Sequence, residues 1–260
     1  MRWPRLRRWR DAPDGRDTRD APEARDAPAE VDALTRARRR MVAEQIEARG
    51  IRDPQLIRAL LAVPRHAFVE DGTSPAEAYA DRALGIGSGQ TISQPYVVAA
   101  MTDAARPGRP DGWQGARALE IGTGSGYQAA LLAELGARVI SIERHADLAA
   151  EAVERLRDAG YGPERVEVRI GDGTQGAPED APFDAILVTA GGPTIPEPLV
   201  EQLSRSGGRL VIPVGGRSSQ ELTVVERRGA ELSTDTIDRV VFVPLIGEHG
   251  FAPPDEVARD

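Results

Sequence analysis

The chain contains no cysteine, so it has no disulfide framework, no thiolate nucleophile and no cysteine-built zinc site. Every basic residue among the 33 Lys+Arg is arginine, which excludes Schiff-base chemistry on a lysine. Histidine is scarce: His66, His145 and His249 stand far apart and share no metal-ligand spacing. No apolar run approaches the roughly 18–20 residues of a membrane span, and a secretory leader would need an apolar stretch that the first 30 residues lack. The net charge of −8 works against an extended polyanion partner, so nucleic acid is not expected.

What remains is 260 residues at 40 % apolar content, enough for one domain with appendages. Residues 1–30 repeat DAP among alternating charges with almost no apolar periodicity, which predicts a disordered extension. A targeting or docking arm is the other reading of it. One folded domain is expected over 31–250, followed by a flexible tail at 251–260. Within that domain, 31–105 reads as a helical, substrate-side part and 116–250 as the core.

Helical spacing of Leu34, Met41, Val42 and Ile46 ends at Gly50, and Asp53-Pro54 predicts an N-cap and first helical residue. From residue 116 onward, strand and helix signals alternate. RALEI, RVISI, VEVRI, FDAILVTA, GGRLVIPV, ELTVVER and DRVVFVPLI are interleaved with amphipathic segments. The pattern predicts an α/β fold with a doubly wound, mostly parallel seven-stranded sheet of Rossmann-like type, preceded by N-terminal helices. Its last two strands are expected as an antiparallel pair at one edge.

ALEIGTGSGYQAALLAEL is a strand, a glycine turn (Gly122, Gly124, Gly126) and a helix, a place where a ligand can approach the backbone. The turn alone does not separate a dinucleotide from other ligands. Glu120 just before it suits an ammonium group and disfavours a pyrophosphate. Glu143 closes the second strand, where a carboxylate can accept ribose hydroxyls. Asp172, between Gly171 and Gly173 after the third strand, can reach an adenine amino group. Any one of these acids alone reads as a solvated strand end; the three together at one sheet edge point to S-adenosylmethionine.

GQTISQPY at 89–96 has hydroxyls and amides but no adjacent His, Cys or Lys. By itself Ser93, two residues before a helix-opening Pro95, reads as a turn or capping hydroxyl. The landmarks VPRHAFV, GIGSGQTISQPYVVAAM, LEIGTGSGYQAALLAEL, VISIER, GDGTQG, PFDAILVTAG and GGRLVIPVG, in this order from about Arg38 to Gly247, resemble the protein-L-isoaspartate O-methyltransferase family. GQTISQPY is the discriminating motif.

The resemblance implies methyl transfer from S-adenosyl-L-methionine, with S-adenosyl-L-homocysteine as product and no metal. The acceptor is the free carboxylate of L-isoaspartyl residues in damaged proteins and peptides, and repair proceeds through a succinimide. It implies Ser93 as the active-site residue. Gln90, Thr91, Ile92, Glu120, Gly122, Gly124, Glu143, Asp172, Gly173 and, on a looser alignment, Gln220 are implied as cofactor-binding. It also implies a fold whose last two strands are exchanged relative to most methyltransferases, and a cytoplasmic monomer without membrane or nucleic-acid partners.

The substrate carboxylate is already ionised at neutral pH, which accounts for the missing general base. Other readings are a methyltransferase for another carboxylate or small molecule, a non-catalytic cofactor-binding module using the N-terminal arm, and a nicotinamide enzyme. His66 is expected to pack, His145 to lie at the surface, and Arg38 to Arg40 to form a solvated helix face. The segment EHGFAPPDEVARD is expected to stand clear of the site.

Overall fold

The computed structural model describes residues 27–253. The expected extension therefore lies outside the described residues up to position 26, as does the expected tail from position 254. Helix α1 (Ala27–Met41) begins ahead of Val31 and passes into a π-type turn, Val42–Ile46, and a 3₁₀ turn, Glu47–Arg49. Gly50 then ends the helical run at φ +97°, a conformation that favours glycine. Helix α2 (Pro54–Ala62) starts as expected: Asp53 accepts from Gln55 N and Leu56 N, and Pro54 needs no donor partner at the first position. A 3₁₀ turn, Arg65–Phe68, and the short helix α3 (Pro75–Ala78) lead into a hairpin of β1 (Leu84–Gly85) and β2 (Thr91–Ile92). Helix α4 (Pro95–Ala104) follows.

Arg38 is not merely solvated. Its Nη1 donates to the Leu61 and Ala62 carbonyls, which the end of α2 leaves without helical donors.

The core alternates β3 (Arg117–Ile121), α5 (Tyr127–Glu134), β4 (Arg138–Glu143), α6 (Ala146–Asp158), β5 (Val166–Ile170), β6 (Ala185–Val188) and α7 (Glu197–Glu201), then the long strands β7 (Ser206–Gly216), β8 (Ser219–Arg228) and β9 (Glu231–Val240). The seven-stranded sheet has the order β5-β4-β3-β6-β7-β8-β9. The first five strands in that order are parallel, and β8 and β9 are antiparallel additions, so the edge meander is sequential.

Side chains alternate between the two faces with the period of a strand. Ala118 and, on β6, Ala185 and Leu187 join a core shared with α2, α4 and α5; Leu119, Ile121, Ile186 and Val188 join a second core with Leu199 and Leu203. Glu120 has the parity of Ala118 and so points to the α4 and α5 side. Helix α5 is buried on every face from Tyr127 to Ala133, as its near-continuous apolar sequence requires. Chain connections from β3 run to β4 on one side, while β6 lies on the other, so a crevice opens at the carboxyl end of β3.

The last strand differs from expectation. Only Asp238, Arg239 and Val240 of DRVVFVPLI belong to it; β9 is Glu231–Val240, paired with β8 from Arg228↔Glu231 to Gln220↔Val240. An edge strand binds its neighbour through the backbone and needs no apolar face, so the polar run ELSTDTID was unrecognisable by hydrophobic pattern. The apolar residues beyond it turn back across the sheet's carboxyl edge. Gly191 N donates to Val243 O at 2.8 Å and Leu245 N to Gly191 O at 2.8 Å. No described helix is long and apolar enough to cross a membrane.

Candidate active site

Two cavities meet at GQTISQPY. The smaller, about 30 Å³, is lined by Thr91, Ile92 and Ser93 on one side and by Glu120, Gly122, Gly124, Tyr127 and Thr189 on the other, with Val98, Met101, Thr123, Ser125 and Gln128 completing it. The larger, about 420 Å³, is a groove between Arg49, Tyr96 and Val97 and the end of β9, Asp238 to Phe242. Thr91 and Ser93 line both. They form the partition, which β2 holds in register through Leu84↔Ile92 and Gly85↔Thr91.

Ser93 is not the cap of α4. The N-cap position is Gln94, whose side chain makes no capping bond, and the helix's free Tyr96 N–H donates to Asp81 Oδ1 at 3.1 Å. Asp81 is tied in turn to Arg49 at 3.0 Å, and the Arg49 guanidinium lies 3.1 Å from the centre of the Tyr96 ring. The negative charge at this helix end is thus supplied by the chain itself. The Ser93 hydroxyl has no partner among the described residues, and only its carbonyl is engaged, accepting from Arg65 Nη2 at 2.8 Å.

Glu120 is fully buried. One oxygen accepts from Ser141 Oγ, which also meets Thr123 Oγ1 at 2.6 Å; the other, Oε1, has no hydrogen-bond partner. Burial pushes the Glu120 carboxyl up to about 8, against the Ser141 donor and with help from the Glu143 charge. Glu143 accepts Gly124 N at 3.0 Å and His145 N at 3.0 Å, bracing the glycine turn while each oxygen keeps a further lone pair. Gly122 sits at φ +92°, and a Cβ there would come within 2.5 Å of Thr189 Oγ1. Thr189 Oγ1 donates toward Ile121 O (3.0 Å) and Gly122 O (2.7 Å), locking the turn to β6.

Five expected site residues, Gln90, Glu143, Asp172, Gly173 and Gln220, line neither cavity. Asp172 uses both oxygens internally: Oδ1 accepts Thr174 N and Oγ1, and Oδ2 accepts Glu248 N at 2.8 Å. Burial pushes its carboxyl up, but these donors outweigh it and hold it below the ordinary range. Gly173 packs on Ile121, where a Cβ would lie 2.4 Å from the Ile121 methyl. Gln220 is 1 % exposed; its oxygen accepts Phe242 N at 2.8 Å and its nitrogen donates to Gly216 O, so both ends of the amide are spent on structure. Gln90 stands beside the partition, donating to Ser88 O at 3.2 Å.

The segment after Gly247 packs on Asp172, an expected cofactor residue, although it was expected to stand clear. Glu248 N binds Asp172, His249 N donates to Thr174 Oγ1 at 3.1 Å, and a Cβ on Gly247 would collide with Asp172. His66 packs as expected, with Nδ1 2.7 Å from Tyr79 Oη, while His145 is half-buried. Among the described residues no group of acids and histidines could hold a metal ion.

Sequence reasoning missed Thr189, Tyr127, Gln128 and Arg65. Thr189 follows a strand at the ligand-binding sheet edge, a usable signal. Arg65 stood inside the quoted VPRHAFV, where an arginine in an apolar run was the signal.

These observations agree with comparisons to known proteins. A family profile described as protein-L-isoaspartate(D-aspartate) O-methyltransferase matches residues 36–250. A protein-L-isoaspartate O-methyltransferase of Methanoregula boonei is 53 % identical over 214 residues, 82 % of this chain and 94 % of that protein. One from Methanoculleus marisnigri is 51 % identical over 222 residues, 85 % of this chain and 97 % of its own. A solved protein-L-isoaspartate O-methyltransferase superposes with a TM-score of 0.71 at 26 % identity, covering 82 % of this chain and 67 % of that one. A Plasmodium falciparum structure of the same description, in complex with S-adenosyl-L-homocysteine, gives a TM-score of 0.63 at 25 % identity over 84 % of this chain and 98 % of that one. The chain belongs to the protein-L-isoaspartate(D-aspartate) O-methyltransferase family.

Proposed function

We propose that this protein transfers a methyl group from S-adenosyl-L-methionine to the free carboxylate of L-isoaspartyl residues in damaged proteins and peptides, the first step of repair through a succinimide. The observation that carries the reading is the shared wall: Ser93, with Thr91, lines both the pocket at the glycine turn and the groove outside it.

The donors and acceptors at the glycine turn suit the amino-acid end and hydroxyls of the cofactor. Glu120 Oε1 is a buried acceptor without a donor, and an ammonium group is the donor that would satisfy it. Gly122 and Gly124 leave the backbone bare beside it, at φ +92° and +52°. Glu143 keeps acceptor capacity for hydroxyls at the rim. When bound, S-adenosyl-L-methionine supplies an electrophilic methyl group on a sulfonium leaving group.

The protein's part is positioning. The acceptor carboxylate needs no base, because it enters ionised. Ser93 Oγ would donate to one carboxylate oxygen and leave the other free toward the methyl group, with no proton for the protein to move. Ile92, Val98 and Met101 keep water from the reacting centre. The groove, about 420 Å³, has room for the side chain and backbone of an acceptor peptide.

The reading takes the protein as a cytoplasmic monomer whose partners are damaged proteins and peptides. Its net charge of −8 disfavours a nucleic acid. Purified protein is expected to label an isoaspartyl peptide from methyl-labelled cofactor, with a base-labile ester as product, and to leave the matching aspartyl peptide unlabelled. Equal labelling of both peptides, or of neither, overturns the reading.

A further inference from the structure

Arg65 opens the 3₁₀ turn inside VPRHAFV, and its side chain is entirely shielded from solvent. No carboxylate pairs with it. Nε donates to Ala78 O at 2.9 Å, Nη2 donates to Ser93 O at 2.8 Å, and Nη1 has no partner. The guanidinium lies 5.2 Å from the centre of the Tyr127 ring. Burial lowers its pKa from the usual arginine value to about 10, so it remains a cation at neutral pH. The nearest acid acting on it, Asp81, is already engaged by Arg49 and Tyr96 N.

Holding up two loop carbonyls does not require a buried charge. A neutral donor would satisfy them without the desolvation that an unpaired cation incurs, and removing its water is expensive. What a guanidinium adds is a planar fork whose donors are fixed relative to each other. Here the fork spans three parts of the site: the end of α3, the residue on the partition, and the first residue of α5 after the glycine turn. The carbonyl it grips belongs to the same residue that lines both cavities. A positive charge therefore lies directly behind the wall at which an anionic acceptor docks.

We infer that Arg65 is a positioning residue for the acceptor side of the reaction: it fixes the Ser93 main chain against Tyr127 and turns a positive charge toward the bound carboxylate. The inference rests on the proposed reading of Ser93. It separates Arg65 from an ordinary structural arginine, because a structural role would disturb both cavities alike.

The test uses the full chain and the variants Arg65→Met, which removes charge and fork, and Arg65→Lys, which keeps the charge and loses the fork. The affinity for S-adenosyl-L-homocysteine is measured by calorimetry, and kcat/KM for an isoaspartyl peptide in the same preparations. Arg65→Met is expected to lower peptide kcat/KM by about 30-fold and Arg65→Lys by about fivefold, with S-adenosyl-L-homocysteine affinity within about twofold of wild type in both. A loss of cofactor affinity equal to the loss of kcat/KM overturns the inference, as does an unchanged kcat/KM in Arg65→Lys. If Arg65→Met does not fold, Arg65→Lys decides by the same outcomes. Wild-type protein that binds S-adenosyl-L-homocysteine but labels no isoaspartyl peptide overturns the substrate reading and this inference with it. Wild-type labelling with either overturning result in the variants removes only the role of Arg65.

Discussion

The pocket and the groove are built on different principles although they share a wall. The pocket is mounted on sheet ends: Glu120 and Gly122 at the end of β3 and Thr189 after β6, with Thr189 and, behind the turn, Glu143 at the end of β4 bracing it through hydrogen bonds of 3.0 Å or less. The groove is made of pieces far apart in the chain, Arg49 before α2, Tyr96 on α4 and the last residues of β9, and it mixes the charges of Arg49, Asp238 and Arg239 with neutral polar and apolar side chains. A strand-mounted site fixes a ligand of constant shape; the roomier groove accepts one damaged residue in many surroundings. The difference assigns cofactor to one side and acceptor to the other.

Three substitutions strain that division, in descending order of effect. Gly122→Ala attacks the pocket alone. The left-handed conformation costs a side chain about 1–3 kcal/mol, and the new Cβ would crowd Thr189 Oγ1 from 2.5 Å. Cofactor affinity by calorimetry is expected to drop about 100-fold or more.

Glu120→Gln is next. Loss of a charged acceptor lowers cofactor affinity by about 10- to 100-fold. The free protein also changes its pH dependence. Native Glu120, with its pKa raised from 4.5 to about 8, retains a proton that the unfolded carboxyl gives up, so its contribution to stability falls as pH rises through that window. Thermal melts of Glu120→Gln are therefore expected to gain on wild type between pH 5 and pH 8; a gain that shrinks across the range contradicts the buried, neutral acid.

Gln220→Ala has the smallest functional effect. It leaves Phe242 N and Gly216 O without their buried partner and is expected to cost about 1–3 kcal/mol of stability by denaturant unfolding, with cofactor affinity unchanged. A matching loss of affinity would return Gln220 to the cofactor.

Legibility in the sequence follows the same division. The parallel sheet, the glycine turn and the caps at Asp53 and Pro95 were readable because they follow from local periodicity and backbone chemistry. Strand β9 was not, since an edge strand pairs through its backbone and carries no apolar signature. Ser93 was placed at the centre of the site only by its motif, and its capping role gave way to Asp81, a residue 15 positions away from Tyr96. Arg65 was missed, and the internal partners of Asp172 and Gln220 were unreadable, for one reason: the contacts that engage these polar side chains lie 28, 76 and 22 residues away.

The claim that pocket and groove meet at Ser93 is tested most directly by Ser93→Ala, with cofactor affinity and isoaspartyl-peptide kcat/KM measured on one preparation. Loss of one hydrogen bond to a charged group predicts a fall in kcat/KM of about 10- to 100-fold, with cofactor affinity held within about twofold. Full turnover, or an equal loss on both sides of the wall, would contradict it.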